Sequence, residues 1–268
     1  MATSERYTLG HHESVLRTHS WRTVDNSAAY LAPYLTRGSR VLDVGSGPGT
    51  ITIDIAQRVF PGAVFGMDAS AEVCIQASTL ARDSDVLNVD FAAGDAYALD
   101  FPDNSFDVVH AHQLLQHVGD PVAVLREMRR VVKPGGIVAA RDVIYGAASW
   151  YPLLPGLDTW MRVYQAVARS NSGEPNAGRS LKAWALEAGF SDVESTASIW
   201  CFSTDEDRDW WGSAWAVRAV ESSFAPQSLE SGSATQADLE EISAAWTAWV
   251  ADPRSWYAMP HGEILARK

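Results

Sequence analysis

The sequence predicts an α/β protein, an open parallel sheet with helices on both faces. Three observations carry this: an apolar run entering a glycine turn at Val41–Gly49, an alternation of short apolar segments with helix-period segments over the stretch that follows, and strand patterning that returns at the end of the chain after two helical stretches. At 268 residues the chain is long enough for one elaborated domain with a core of its own.

Arg40 leads into Val41, Leu42, Asp43 and Val44, a short buried strand, and Gly45, Ser46, Gly47, Pro48 and Gly49 turn the chain. Ile51, Ile55 and Val59 recur every four residues and give the next helix one apolar face, which Pro61 and Gly62 end. A second strand over Ala63–Met67 ends in Asp68. A helix from about Ala71 to Arg82 and a third strand near Val89–Ala92 follow. Phe106–His110 supplies a fourth strand, Pro121–Val131 an amphipathic helix, and Ile137–Ala140 a fifth strand after the turn Lys133, Pro134, Gly135, Gly136. Beyond Arg141 a Trp-, Tyr- and Pro-rich segment, Ser149–Tyr164, and a polar loop at 171–178 read as a cap. Regular patterning resumes with a helix from about Ser180 to Ala188 and a strand near Val193–Phe202. Asp205–Phe224 and Thr235–Val250 read as helices, the second opened by a Thr235/Asp238 capping box, and Tyr257–Ala266 as the last strand.

A net charge of -12, with no long run among the 21 Lys and Arg, argues against broad nucleic-acid binding. The opening MATSERYTLGHHES lacks the apolar centre of a secretion signal, and no membrane-length apolar stretch occurs, so no membrane insertion and a cytoplasmic location are expected. Cys74 and Cys201 lack CxxC spacing, and His110, His112 and His117 lack an HExxH arrangement; no metal is expected.

A glycine turn before a helix N-terminus lets backbone N–H groups approach an anionic or polar ligand. Such turns serve several nucleotides, and spacing narrows the choice: Thr50 stands where a nicotinamide GxGxxG fingerprint needs its third glycine, and there is no GxxxxGK[ST]. Asp68, at the end of the second strand, is placed to accept hydrogens from both hydroxyls of a ribose.

The segments VLDVGSGPG, GMDAS, AAGDAYALDFPDNSFDVV, LLQHVGD and RVVKPGG occur in that order over residues 38–142. Together they resemble the class I S-adenosylmethionine (SAM) methyltransferases, nearest to the branch of the ubiquinone and menaquinone C-methyltransferases. The resemblance implies a Rossmann-like seven-stranded sheet with an antiparallel last strand, a slot that Tyr257–Ala266 fits, a helical lid at residues 1–37, and a methyltransferase domain at 38–268 with helical insertions at 150–180 and 204–254. It implies that Gly45, Gly47 and Gly49 line the methionine part of SAM, Asp68 holds the ribose, Asp95 and Ala96 meet the adenine, His110 faces the methionine or methyl region, and the N-terminal segment with Tyr7 covers the cofactor.

Ligands of open α/β sheets sit beyond the carboxyl ends of the strands, so His112, Gln113 and Arg141 should border the methyl acceptor. His112 is the first choice for a general base, with His11 and Tyr164 after it. Seven of the eleven tryptophans lie at or after Trp200. Trp211, Trp215, Trp246 and Trp249 have helical spacing and read as packing, whereas Trp150, Trp160 and Trp200 are candidates for an acceptor pocket. The stretch of about 50 residues between Phe202 and Tyr257 departs from the quinone-methylating pattern, and GHHESVL resembles tailoring methyltransferases of secondary metabolism. The favoured acceptor is therefore an indole ring methylated at carbon 3, as in a tryptophan-derived cyclodipeptide or alkaloid. The alternatives are a quinone-ring C-methyltransferase, an N- or O-methyltransferase of another natural product, and a SAM-binding regulatory protein without catalysis. A homodimer would form through the C-terminal helices.

Overall fold

The structure, a computed structural model, describes residues 21–268. Among these residues one sheet has eight strands: Val41–Val44 (β1), Val64–Asp68 (β2), Val89–Ala93 (β3), Phe106–His112 (β4), Val132–Val143 (β5), Ser149–Tyr151 (β6), Asp192–Phe202 (β7) and Trp256–Arg267 (β8). β3, β2, β1, β4 and β5 lie side by side in that order, all parallel. β8 runs antiparallel between β5 and β7, which is the Rossmann-like arrangement with an antiparallel last strand. The eighth strand is the addition: β6 pairs with the start of β8, so part of the segment that reads as cap in the sequence joins the sheet.

The helices of the parallel half follow from local chemistry. Thr50–Val59 (α2, the short Val24–Ser27 being α1) starts at Gly49, whose φ of +86° suits glycine; a Cβ there would also come within 2.8 Å of the Phe91 ring. Ala71–Asp83 (α3) is capped by the Ser70 hydroxyl. Pro121–Val131 (α4) begins with Asp120 accepting from the Ala123 N–H and with proline at its first position, and it ends in Arg129 and Arg130, matching the helix dipole. The Lys133–Gly136 turn is a bulge at the start of β5: Phe106 pairs with Val132 and Val108 with Ile137.

Pro155–Ser170 (α5), Leu181–Glu187 (α6), Asp205–Glu221 (α7), Phe224–Glu230 (α8) and Gln236–Ala251 (α9) complete the described chain. The sequence pattern runs one helix over Asp205–Phe224, but the structure ends α7 at Glu221 and starts α8 at Phe224, with the break at Ser222. That residue is four before Pro226, whose ring would clash with its carbonyl in a continuous helix.

Three apolar clusters result. One lies on the face of the sheet under α4 and α6 and includes Val44, Val109 and Leu125. One lies on the other face under α2 and the N-terminal turn and includes Val41, Ile55 and Leu31. The third joins α5, α7, α8 and α9 to β7 and β8 and is mainly aromatic. No helix among the described residues is long and apolar enough to cross a membrane.

Candidate cofactor and acceptor cleft

The carboxyl ends of β1, β2 and β4 open into a cleft of about 550 Å³. Gly45 and Gly47 form its floor with φ of +74° and +53°, and the N–H groups of Gly45 and Ser46 bond to the Met67 carbonyl, pinning the turn to β2. A Cβ on Gly45 would press on Leu114, whereas one on Gly47 would meet nothing within 4 Å. Gly49 does not line the cleft; it is the cap of α2.

Asp68 is held by two backbone bonds, from the Gly47 N–H at 3.0 Å and the Ser70 N–H at 3.0 Å. A carboxylate has about four lone-pair positions, so two remain for outside donors such as paired hydroxyls. Asp95 and Ala96 lie farther along the same wall, the Asp95 carboxylate accepting from the Tyr97 N–H at 2.9 Å. Asp43 is buried in β1, where one oxygen accepts from the Thr52 hydroxyl at 2.6 Å and the other meets Nδ1 of His110 at 2.7 Å. His110 is fully buried behind this pair and outside the cleft lining, with its Nε2 unpartnered.

His112 ends β4 and faces the cleft. It is buried, neither ring nitrogen has a hydrogen-bond partner, and burial, then the charges of Arg22 and Arg141, hold its pKa well below the ordinary histidine value. It is therefore a neutral imidazole. Gln113 turns the chain with φ of +52°, donates its backbone N–H to the Arg141 carbonyl, accepts from Arg22 Nη2 at 2.9 Å and meets His261 Nε2 at 2.8 Å. His117 also lines the cleft, and burial followed by the charge of Arg22 lowers its pKa to about 4.

The other residues expected at the acceptor lie elsewhere. Arg141 is one layer behind, 1% exposed, with its Nε bonded to Ser198 and Glu263 and its guanidinium 4.7 Å from the Trp200 ring centre. Burial first of all lowers its pKa, to about 10. Trp200 donates its indole N–H to the Asn26 carbonyl, and its ring is 5.6 Å from that of His112, so it supports the wall without lining it. Trp150, Trp160 and Tyr164 do not reach the cleft. Trp150 stacks on Tyr257, Trp160 packs edge-on against Trp215 and Trp246, and Tyr164 lies 4.2 Å from Tyr145, because the apolar faces of β6 and α5 turn toward α7 and α9. Tyr7 and His11, with His12, lie outside the described residues.

Three contributors carry no readable local signal or only a faint one. Arg22 sits between Trp21 and Thr23 in no motif. His261 is 148 residues from Gln113 in sequence. Asp43 could have been found, since a carboxylate inside a four-residue buried strand requires partners.

Residues 35–189 match the protein family described as Methyltransferase domain. The chain is 35% identical to an uncharacterised methyltransferase of Schizosaccharomyces pombe over 98% of this chain and 96% of that one. It is 30% identical to the probable methyltransferase ltbC of Aspergillus luteorubrus over 99% of this chain and 98% of that one. The fold is similar to that of the YcgJ protein of Bacillus subtilis, with a TM-score of 0.58 at 20% identity, covering 94% of this chain and 99% of that one. With a matched family model, relatives aligned over nearly their whole length, and a nucleoside-sized cleft at the strand tips, the chain belongs to the methyltransferase-domain family and is a SAM-dependent methyltransferase.

Proposed function

We propose that the protein methylates a small planar heteroaromatic molecule carrying an ionisable N–H or O–H, with an indole ring methylated at carbon 3 as the favoured acceptor. The observation that supports this most is His112, a buried neutral imidazole on the cleft wall with neither nitrogen engaged. An unpaired buried polar group is costly unless a ligand satisfies it; the burial and cations that keep the imidazole neutral also oppose its protonation, so it suits a strongly acidic donor such as the iminium N–H that methylation at carbon 3 creates.

The residues fit the cofactor. The Asp68 carboxylate is pre-oriented by Gly47 and Ser70 to take the ribose hydroxyls, the open side of Gly47 admits a close approach, and Asp95 with Ala96 borders the adenine end. SAM, when bound, supplies an electrophilic methyl group on a sulfonium. The protein's part is to hold the acceptor in line with that methyl, which can lower the barrier by about 7–11 kcal/mol without a covalent intermediate. His112 takes the ring N–H proton as carbon 3 gains the methyl group, so the methylated ring leaves neutral; general-base assistance of this kind contributes about 10²–10⁴ in rate. Leu114 and Val118 give this end apolar walls, as a flat ring requires.

Incubation with methyl-labelled SAM and a panel of indoles, phenols and quinols tests the reading. Labelled product from the indoles is expected, with His112→Gln lowering kcat at least about 100-fold while leaving binding of S-adenosylhomocysteine within a factor of three. Label appearing only in quinols or phenols would replace indole as the acceptor. Full activity of His112→Gln would remove the base.

A further inference from the structure

The segment that follows β4, residues 113–118, gives the cleft Gln113, Leu114, His117 and Val118. Its two remaining members, Leu115 and Gln116, do not line the cleft and are buried. They are held from behind. Asp142, near the end of β5, is 0% exposed, and its Oδ1 accepts from the Gln116 N–H at 3.1 Å. The polar loop at 171–178 closes over the same place: the Glu174 N–H bonds to the Gln116 carbonyl at 2.9 Å, and a Cβ on Gly178 would press on the Asp142 carbonyl oxygen.

Two acceptors are left without donors there. Asp142 Oδ2 and Gln116 Oε1 are both buried and unpartnered, although their residues are already joined by the 3.1 Å bond. The Gln116 amide nitrogen reaches toward the Gln113 carbonyl at 3.5 Å, which turns its oxygen the other way. A buried acceptor that has lost its water is costly, and a buried carboxylate charge costs more. One proton on Oδ2 removes both costs, because it neutralises the acid and supplies the missing donor.

The surroundings favour that proton. Burial pushes the Asp142 pKa up to about 7, against the Gln116 and Leu115 N–H groups and the Arg141 charge, which favour ionisation. Arg141 precedes Asp142 on the strand and so projects from the opposite face, where it pairs with Glu263 at 3.2 Å and where Tyr30 also packs. On the elements that cover Asp142, Glu174 accepts from the Asn176 N–H at 2.8 Å and lies 3.9 Å from Arg169, the Arg179 guanidinium lies beside Gly146, and His117 is neutral.

We propose that Asp142 is a positioning residue that works as a neutral acid: its Oδ2–H donates to Gln116 Oε1 while Oδ1 holds the Gln116 N–H, and this clamp fixes the cleft wall formed by residues 113–118. Loss of the proton leaves a buried carboxylate facing the Gln116 side-chain oxygen, and the segment must open to water to hydrate it. Because the folded-state pKa lies above the unfolded value of about 3.9, the proton's contribution to stability is complete below that value and is lost as pH rises past about 7.

Asp142→Asn keeps the shape, keeps an oxygen for the Gln116 N–H and carries a permanent donor in place of Oδ2–H, but it cannot ionise. Between pH 5 and pH 8 the unfolding constant of wild type, measured in urea, is expected to rise relative to that of Asp142→Asn by about 30- to 100-fold. The dissociation constant of S-adenosylhomocysteine, from calorimetry, is expected to rise about 10- to 30-fold between pH 6 and pH 8.5 in wild type and less than about threefold in the variant. Carbon-13 NMR of the Asp142 carboxyl in wild type, which needs no variant, should show a midpoint at about 7. A carboxyl already ionised at pH 5, or an unfolding constant that changes with pH alike in both proteins, overturns the neutral acid. A pH-dependent stability difference with parallel affinity profiles overturns the positioning role. The affinity measurement alone rests on the SAM reading: if wild type does not bind this ligand at pH 6, that reading fails, while NMR, urea titration and amide exchange across residues 113–118 still decide the clamp.

Discussion

The cofactor cleft and the C-terminal aromatic core use opposite means. The cleft sets backbone and small polar groups among aliphatic walls such as Ile51, Met67, Leu114 and Val118: glycines at positive φ, a carboxylate held by two N–H groups, a buried Asp43 shared between Thr52 and His110. The aromatic core is built of packed rings. Trp160, Trp215, Trp246, Trp249 and Tyr257 are fully buried there, and the indole N–H groups of Trp150, Trp160, Trp211, Trp215 and Trp246 have no conventional acceptor. Several of these rings meet edge to face, with centres 4.8 to 5.0 Å apart around Trp160, a geometry in which ring edges lie against π faces. Aromatic abundance is thus a feature of the scaffold in this protein, while the candidate cleft, among the described residues, is lined by few aromatic rings.

Substitutions can break or sharpen that contrast. The largest effect is expected at Trp160: Trp160→Ala should lower unfolding free energy by about 3–5 kcal/mol in urea titration, yet leave S-adenosylhomocysteine affinity unchanged in the folded fraction. A large loss of affinity instead would tie the aromatic core to the cleft. Next, Asp68→Ala should weaken that ligand by about 1.5–3 kcal/mol while shifting the urea midpoint far less than the tryptophan variant does.

The cleft histidines give a pH signature that the aromatic core lacks. With a folded-state pKa near 4, His117 contributes stability that is fully present above the unfolded value of about 6.5 and is lost as pH falls from there toward 4. His117→Gln should therefore gain on wild type by about 2 kcal/mol between pH 7.5 and pH 5, measured as the difference in unfolding free energy. Parallel pH profiles would show that the imidazole titrates as if exposed. The smallest effect is at Gly47: with φ of +53° and open space around it, Gly47→Ala should cost about 1 kcal/mol of stability, and its methyl group should impair cofactor binding more than folding.

The half of the chain that carries the candidate cleft was legible because its signals are local. Val41–Val44 entering a glycine turn, Ile51, Ile55 and Val59 on one helical face, and Asp68 at a strand end each state their conformation within a few residues. The glycine turn and Asp68 meet in the cleft because parallel strands place their carboxyl ends side by side. The end of α7 before Ser222 was also written locally, in Pro226, and the sequence pattern overran it by three residues, to Phe224.

The sequence by itself determined the α/β class, the glycine turn after β1 and the carboxylate at the end of β2, since periodicity, glycine and strand-end position are properties of neighbours along the chain. Only the tertiary structure decided that Trp160 and Tyr164 belong to a core, that Arg141 lies behind the wall, and that Arg22, Gln113 and His261 form one chain of contacts. Those outcomes depend on which faces of α5, β4 and β8 meet, and a pairing across 148 residues is fixed by packing of the whole sheet, which no local pattern encodes.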